Sequence, residues 1–527
     1  MPEPIKSPYF FATKPSGVSS HRPDQDKLGF VEWLSQKYQQ KFYVVHRLDK
    51  ETSGQMLFAT SSEAAKSLAL LFENQLIEKT YYFVSDKKSK ELSWKVASTI
   101  AKRGTEWISI PGGDEARTEI ERAGESDGFF LYRARPLTGK THQIRLHAKD
   151  SQVPILGDKL YGGKAFPRLM LHSQSIQWHQ GDERVYKESP LPLLFENLSL
   201  LKDPQLCGWI AAVDRRKTLY PELIDTEQCL RLVHKESGDL RVDQFGSTKI
   251  LGWWKDEPPT ESEKTKIEKL AQGMNWGSWS FYWRPKGEKG DELQTILSGG
   301  EVPSDWTFCE GAVRYQGRLE RGHNCGLFFD QRDRRDWVFQ SSNNKKILNL
   351  FAFTCGFSLS AAMGGADKVV SVDLSKRYLQ WGQKNFALND LNPEDPRFEF
   401  RAMDSLKYLD WARRKGLQFD IVVCDPPSFS RDGKKTFKVD KQFAELIAAC
   451  TQVLSPEGVL LFSTNFEKWD FLQWKRQLKD GLSQWGFSRI GVSPSQWDFE
   501  WQVQEANLKA FFLFNPCAPP HLGVQDA

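Results

Sequence analysis

At 527 residues the chain exceeds the size at which a single hydrophobic core stops growing, so two or three domains are expected. A hydrophobic content of 39%, with 19 Trp and 35 Phe, supplies material for several cores, and the lack of an uninterrupted apolar run of about eighteen residues excludes a helical membrane protein. A net charge of +4 excludes a uniformly basic nucleic-acid binder, yet leaves room for a local basic groove on a nearly neutral surface.

The first residues, Met-Pro-Glu-Pro-Ile-Lys, lack a basic-then-apolar export signal, so a cytoplasmic, reducing location is expected. The cysteines at 207, 229, 309, 325, 355, 424, 450 and 517 show no Cys-x-x-Cys spacing. That argues against both a zinc site and a disulfide framework, and leaves most of them as small buried residues.

In chain order, the first informative run is Val44 to Gly54, which ends a strand in His46-Arg47-Leu48-Asp49-Lys50-Glu51-Thr52-Ser53-Gly54. It sets one carboxylate, Asp49, between cations at a strand-to-loop junction. Glu78-Lys79-Thr80-Tyr81 follows beside an apolar strand, then Gly139-Lys140-Thr141-His142-Gln143-Ile144-Arg145-Leu146-His147, then Pro154 to Gly162. These four motifs, in this order, resemble the pseudouridine synthases of the large-ribosomal-RNA and tRNA type, whose signature His-Arg-Leu-Asp-x-x-Thr-Ser-Gly is matched completely. The resemblance covers most of residues 8 to 180.

The resemblance implies that uridine is detached from ribose C1′, turned, and rejoined through C5, with no metal or redox cofactor. Asp49 then serves as nucleophile at C1′ or as the base for a glycal-like intermediate, and both roles stay open. By motif position Arg145 is the ion-pair partner that keeps Asp49 charged, Tyr81 stacks on the base, and Arg47 fills the gap left by the flipped nucleotide.

Two short basic clusters, Lys87-Lys88-Ser89-Lys90 and Arg215-Arg216-Lys217, are candidate RNA contacts or simply solvated faces. Residues 206–310 read as a small α+β module. Leu230 to Gly246 forms a hairpin, Glu261 to Gly273 an amphipathic helix, and Trp276 to Trp283 a Trp-rich strand whose aromatics belong to a core. Gly287 to Asp291 and Ser298 to Glu301 read as exposed loops.

From Lys346 the pattern changes to apolar strands alternating with helices. Lys346 to Leu350 runs into a turn ending at Gly356 and a helix over Leu359 to Gly364; Val369 to Asp373 is the next strand, ending in a carboxylate about twenty residues after the turn. A helix from Lys376 to Asn389, a strand ending near Asp404, a strand from Phe419 into Asp425-Pro426-Pro427, and a strand over Gly458 to Phe462 complete a Rossmann-like sheet. Dehydrogenases share this logic, but the turn lacks Gly-x-Gly-x-x-Gly.

Gly326 to Arg332, Asn349 to Gly356, and Asp425-Pro426-Pro427-Ser428-Phe429-Ser430 together resemble the S-adenosylmethionine-dependent methyltransferases of large-subunit ribosomal RNA that act on guanine N7 or cytosine C5, over about residues 310 to 515. The chain departs from them at Cys355, where glycine is usual, so a less compact loop is expected there. The resemblance implies S-adenosylmethionine bound by Thr354, Gly356, Asp373, Asp404 and Pro426. It makes Asp425 catalytic, facing the target base with Pro426, and assigns substrate contacts to Phe429, Asp330 and Arg332. The C5-type relatives carry Phe-Ser-Cys after the fifth strand, where this chain has Phe462-Ser463-Thr464, and Lys434-Lys435 and Phe437 to Asp440 also look like the N7 relatives.

The expectation is therefore an α+β pseudouridine synthase fold with a mixed, mainly antiparallel sheet over 1–205, a small α+β module over 206–310, and an α/β Rossmann-like methyltransferase over 311–527. The function expected is uridine isomerisation together with base methylation of large-subunit rRNA at guanine N7. Cytosine C5, a tRNA substrate, or a non-catalytic RNA-binding assembly factor are the alternatives. S-adenosylmethionine is the only cofactor expected, RNA the partner, and oligomeric state is left open.

Overall fold

Alternating burial makes the first two hundred residues a sheet. Along Asp114–Ser126, for example, Ala116, Thr118 and Ile120 face in while Glu115, Arg117 and Glu119 face out. The computed structural model describes residues 5–22, 29–104, 106–283, 294–319, 325–432, 435–492, 508–518 and 525–526. The chain forms two compact units, one of Met1–Pro221, Lys235–Asp239 and Thr260–Asn275, the other of Glu222–His234, Leu240–Pro259 and Trp276–Ala527. The segment 206–310 is thus divided between them, its helices going to the first unit and its strands to the second.

The first unit is one ten-stranded sheet. Its strands are β1 (Tyr9–Lys14), β2 (Tyr43–Val44), β3 (Ser53–Ala59), β4 (Glu78–Ser85), β5 (Ser93–Arg103), β6 (Glu106–Ser109), β7 (Asp114–Ser126), β8 (Phe129–Pro136), β9 (Leu171–Gln180) and β10 (Glu183–Glu188). The order is β1-β3-β9-β4-β8-β7-β5-β6, with β2 on β3 and β10 on β9. Among the described residues only β3 and β9 pair in parallel, so the sheet is mixed and mainly antiparallel as expected. The helices are α1 (Phe30–Tyr38), α2 (Ser62–Glu73), α3 (Gln143–Asp150), α4 (Leu193–Glu196), α5 (Pro204–Leu219) and α6 (Glu261–Gly273). The last begins in a capping box, Thr260 accepting from the Glu263 N–H and Glu263 from the Thr260 N–H.

The basic run at 215–217 is no RNA-facing patch. Arg215 is 8% and Arg216 0% exposed, and Arg216 forms a buried ion pair with Glu236 at 2.5 Å. The apolar positions around it draw the helix inward on most of its circumference, and the charges follow.

In the second unit, β11 (Cys229–His234), β12 (Leu240–Phe245), β13 (Thr248–Trp253), β14 (Ser278–Trp283) and β15 (Gln294–Gly299) form a sheet in chain order, and β16 (Asp305–Glu310) pairs with β17 (Val313–Arg318). Ser298 and Gly299 thereby close a strand instead of opening a loop, whereas the run 287–291 lies outside the described residues. Trp253, Trp276, Trp279 and Trp306 are buried, as core aromatics should be.

The main sheet uses β18 (Lys346–Leu350), β19 (Lys368–Asp373), β20 (Phe398–Ala402), β21 (Phe419–Cys424), β24 (Leu454–Thr464), β25 (Arg489–Val492), β26 (Lys509–Phe514) and β27 (Gln525–Asp526). Between them, β22 (Phe429–Asp432) and β23 (Lys435–Lys438) form a separate hairpin. The order β20-β19-β18-β21-β24-β26-β25-β27 reverses direction between β18 and β21, the crevice where doubly wound sheets bind ligands.

Both faces of that sheet are covered. Ile347, Ile421, Val423, Val459 and Leu461 enter one core, while Leu348, Leu350, Val422, Cys424, Leu460 and Phe462 enter the other. That is why these strands read as continuous apolar runs. The helices of this unit are α7 (Arg332–Ser341), α8 (Gly356–Met363), α9 (Lys376–Leu388), α10 (Ser405–Arg414), α11 (Val439–Thr451) and α12 (Phe471–Trp485). Helix α8 starts at Gly356, three residues before the sequence pattern suggests.

Candidate active sites

In the first unit, Asp49 sits in the loop from β2 to β3, with 26% of its side chain exposed and so open to a ligand. Arg145, on the first turn of α3, donates from Nη1 to Asp49 Oδ2 at 3.1 Å. Its Nε and Nη2 are held by Asp158 at 2.7 and 2.8 Å, and its guanidinium lies 4.9 Å from the Tyr161 ring centroid. The Arg fork is thus fixed on one side, and only its third corner is offered to Asp49. Burial opposes the Arg145 charge, but the hydrogen bonds and charge of Asp158, then those of Asp49, outweigh it and hold its pKa above the ordinary value.

His142 approaches from the other side, Nε2 at 3.7 Å from Asp49 Oδ2, its Nδ1 at 2.7 Å from the Tyr161 hydroxyl. It caps α3 in a left-handed conformation. Burial lowers its pKa, against the nearby Asp49 charge. Tyr81, on β4, is 8% exposed, and burial pushes its hydroxyl up to about 12, so it stays a neutral ring. Arg47 is exposed and makes no hydrogen bond or ion pair among the described residues.

A second layer holds the Asp49 loop. The buried Lys14 ammonium donates to the carbonyls of Pro15, Val18 and Lys50 at 2.8–3.0 Å, and burial lowers its pKa to about 7. Ser16 donates to the Glu51 carbonyl and Ser20 to that of Leu48. His46, despite its place in the signature, is structural: it accepts the Leu57 N–H at 2.9 Å and stacks on Phe72, and burial lowers its pKa to about 3.

Sequence reasoning named Asp49, Arg47, Tyr81 and Arg145, and the fold brings Asp49 and Arg145 into contact. It missed His142, Asp158 and Tyr161, although all three lie inside the quoted motifs. Their signal was a polar residue at the start of a buried helix and an acid followed three residues later by an aromatic, which local pattern alone does not separate from a turn.

In the second unit, the strand ends β18, β19, β20 and β21 present Phe351 to Thr354, Asp373, Asp404 and Asp425. Asp373 Oδ2 accepts the Phe353 N–H at 2.9 Å and Oδ1 the Ser375 N–H at 2.8 Å, while burial pushes its carboxyl up. Asp404 caps α10 through the Lys407 N–H. Thr354 is 1% exposed and donates to the Gly326 carbonyl, so its hydroxyl fastens the loop. Gly356 is buried at the start of α8, where a Cβ would meet Leu327 Cδ1 at 2.9 Å.

Phe351, Phe353 and Cys355 all adopt positive φ, which turns the loop back on itself. Contrary to the sequence expectation, Cys355 does not loosen it. Its side chain is fully buried against Gly382, where a Cβ would come within 2.4 Å of the sulfur. The strand-end carboxylates and the exposed Phe328 and Leu374 beside this turn suit a group with a nucleoside and an apolar face.

Asp425 is half-buried at the end of β21. Ser463 donates to its Oδ1 at 2.6 Å, and Gln331 donates to that Ser463 hydroxyl at 2.9 Å. Burial, reinforced by the charge of Asp330, pushes the Asp425 carboxyl up to about 6 in spite of the Ser463 bond. Asp330 is likewise raised by burial. Pro426 is buried, Phe429 is 53% exposed, and Arg332, half-buried, opens α7. Lys434 lies outside the described residues.

Two families account for these two sites. Residues 8–150 match the RNA pseudouridylate synthase family and residues 274–476 the S-adenosylmethionine-dependent methyltransferase family, so the chain carries one enzyme domain of each kind.

Among particular relatives, the ribosomal RNA large subunit methyltransferase K/L of Psychrobacter cryohalolentis is 45% identical over 147 residues, 28% of this chain and 19% of that one. The ribosomal RNA large subunit methyltransferase K of Neisseria meningitidis is 34% identical over 180 residues, 34% of this chain and 50% of that one. The chain thus spans between a fifth and a half of the length of these two curated relatives. Among solved structures, SMU.776, crystallised with SAH, aligns over 65% of this chain and 88% of its own at 26% identity, with a TM-score of 0.53.

Proposed function

We propose that the chain is a bifunctional RNA-modifying enzyme that converts uridine to pseudouridine at Asp49 and methylates guanine N7 of large-subunit rRNA at Asp425. The observation that carries the first half is the Asp49–Arg145–Asp158 arrangement, in which an accessible carboxylate is positioned by a guanidinium that is itself clamped. Asp49 attacks C1′ or takes the proton that frees the base. Arg145 orients it, Tyr81 supports the base, and Arg47, with no partner of its own among the described residues, is placed to replace the flipped nucleotide.

For the second half, S-adenosylmethionine, which supplies the methyl group when bound, would be held by Asp373 and Asp404, with Thr354 and Gly356 shaping the loop and Pro426 lining the site. Asp425 and Phe429 would receive the base, with Asp330 and Arg332 beside it. Guanine N7 has a free lone pair and needs positioning alone, whereas cytosine C5 calls for a thiolate. Two features favour guanine. Cys424 is turned into the opposite core beside Cys450, with its thiol raised by burial, and position 464 is a buried threonine.

The test is chemical. Borohydride and aniline treatment of rRNA methylated by the enzyme should cleave the strand at 7-methylguanosine. An enzyme-dependent mark that resists cleavage and digests to 5-methylcytidine refutes the guanine assignment.

A further inference from the structure

Beside Tyr81 the first unit holds a cation that the proposed isomerisation leaves idle. Lys79, on β4, is partly buried, and among the described residues its ammonium makes no hydrogen bond and no ion pair. Burial alone lowers its pKa to about 8, with no carboxylate among the described residues to offset it, and the group stays mostly charged at neutral pH.

The surrounding groups cannot satisfy this ammonium. It lies 5.8 Å from the Phe72 ring centroid, at the outer limit of a cation–π contact. The His46 imidazole stacks on the same ring at 4.9 Å, and burial, then the Lys79 charge, keeps it neutral. Its Nε2 accepts the Leu57 N–H, which puts the proton of the neutral ring on Nδ1 and leaves no lone pair for Lys79. A partly buried ammonium whose three donors are unmet keeps its attraction for an anion. Access is open as well: Gly139 is exposed, and a Cβ there would stand 3.6 Å from Lys79 Nζ, so the bare glycine leaves the ammonium without a side chain of residue 139 against it.

Three segments tie this position to Asp49. Lys79 stands two residues before Tyr81, so both project from one face of β4, about 7 Å apart along the strand. Tyr81 in turn feels the Asp49 charge. His46 lies three residues before Asp49, and Gly139 three before His142, whose Nε2 is 3.7 Å from the Asp49 carboxylate.

Resting on the reading of Asp49 as the centre of uridine isomerisation, we infer that Lys79 is a phosphate subsite, its ammonium binding a backbone phosphate that adjoins the target uridine while the base lies on Tyr81. The contact sets the register of the RNA strand on Asp49 without reading its sequence.

The experiment uses the full chain and deproteinised large-subunit rRNA, with pseudouridine counted by mass spectrometry. Lys79→Met keeps the stem beside Phe72 and removes the charge. It should raise KM for RNA on the order of tenfold and flatten the slope of log KM against log salt by about 0.7–0.9, while the thermal transition and the calorimetric affinity for S-adenosylmethionine stay in place. Lys79→Arg should restore KM and slope together. On a short RNA that carries the modified uridine, a neutral methylphosphonate is placed in turn at the two adjoining phosphates. At one of them it should raise KM for the wild type and add nothing for Lys79→Met. A wild-type KM and salt slope in Lys79→Met, or a methylphosphonate penalty that persists in full in that variant, overturns the subsite. A lowered thermal transition with an unchanged salt slope makes Lys79 a packing residue and overturns it too. Should the wild type form no pseudouridine, the reading of Asp49 fails on its own. Filter binding of the same rRNA, which needs no turnover, then decides the subsite separately, and equal affinity and salt slope in wild type and Lys79→Met overturn it.

Discussion

The two units each hold one aspartate that we propose as the centre of a reaction, and they surround it in opposite ways. Asp49 sits on a loop beside basic groups: the Arg145 guanidinium at 3.1 Å, the His142 imidazole at 3.7 Å, whose pKa burial lowers, and the exposed Arg47 two residues away. Asp425 sits at a strand end, faces a second carboxylate in Asp330, and is capped by the neutral hydroxyl of Ser463. The difference teaches that a catalytic carboxylate is defined by its neighbours. A nucleophile or base needs its charge retained, whereas a carboxyl that receives a purine can sit near its protonation midpoint and use hydrogen-bond geometry.

The sharpest way to break the comparison is to remove one charge at a time. Asp49→Asn keeps shape and loses charge, and should abolish pseudouridine formation while methylation stays at the wild-type level, as read by mass spectrometry of the modified RNA. Pseudouridine at normal yield in the purified variant would remove Asp49 from the reaction.

Next in size, Asp158→Ala leaves Arg145 buried with half its partners gone. Stability should fall by about 3–5 kcal/mol, seen as an earlier thermal transition assigned to the first unit, and pseudouridine formation should drop with it. If the variant unfolds at the wild-type temperature, the clamp on Arg145 is not what holds that site.

The Asp373 carboxylate offers a smaller effect. Asp373→Ala should weaken S-adenosylmethionine binding by about 1–3 kcal/mol in calorimetry, part of it through the Phe353 and Ser375 N–H groups left without an acceptor. Equal affinity in variant and wild type would take Asp373 out of the cofactor site.

The subtlest test is pH. The folded pKa of Asp425 is about 6, above the ordinary carboxylate value of 3.8. The folded protein therefore favours the protonated form, and stability from this group declines as pH rises between roughly 4 and 6 and is level above. If methylation uses the carboxylate, its rate climbs through about pH 6. Ser463→Ala removes a bond that favours the charged form and should move that limb upward by a fraction of a pH unit. A limb that stays in place in both Ser463→Ala and Asp425→Asn would show that another group titrates.

The comparison also marks where local pattern stops being informative. Helix α6 was legible from end to end, because its capping box and apolar spacing are written within thirteen residues. The strands β18, β19 and β21 were legible because burial on both faces leaves them uniformly apolar. The Arg215–Lys217 run was misread, since its sequence looks solvated and only packing showed Arg216 buried against Glu236. Cys355 was misread for a related reason: its partner Gly382 lies on another helix, and nothing in the loop itself announces it.

The sequence by itself determined the two enzyme domains, their order and the sheet types, and it singled out Asp49, Arg145, Asp373 and Asp425 as candidates, because motifs record residue type and spacing along the chain. Tertiary structure alone decided that Asp158 and Tyr161 clamp Arg145, that Lys14 ties the Asp49 loop, and that Gln331 and Ser463 cap Asp425. Each of these is a contact between residues distant in the chain or a balance of burial against charge. Such contacts have no fixed spacing, so they exist only once the backbone has brought the partners together.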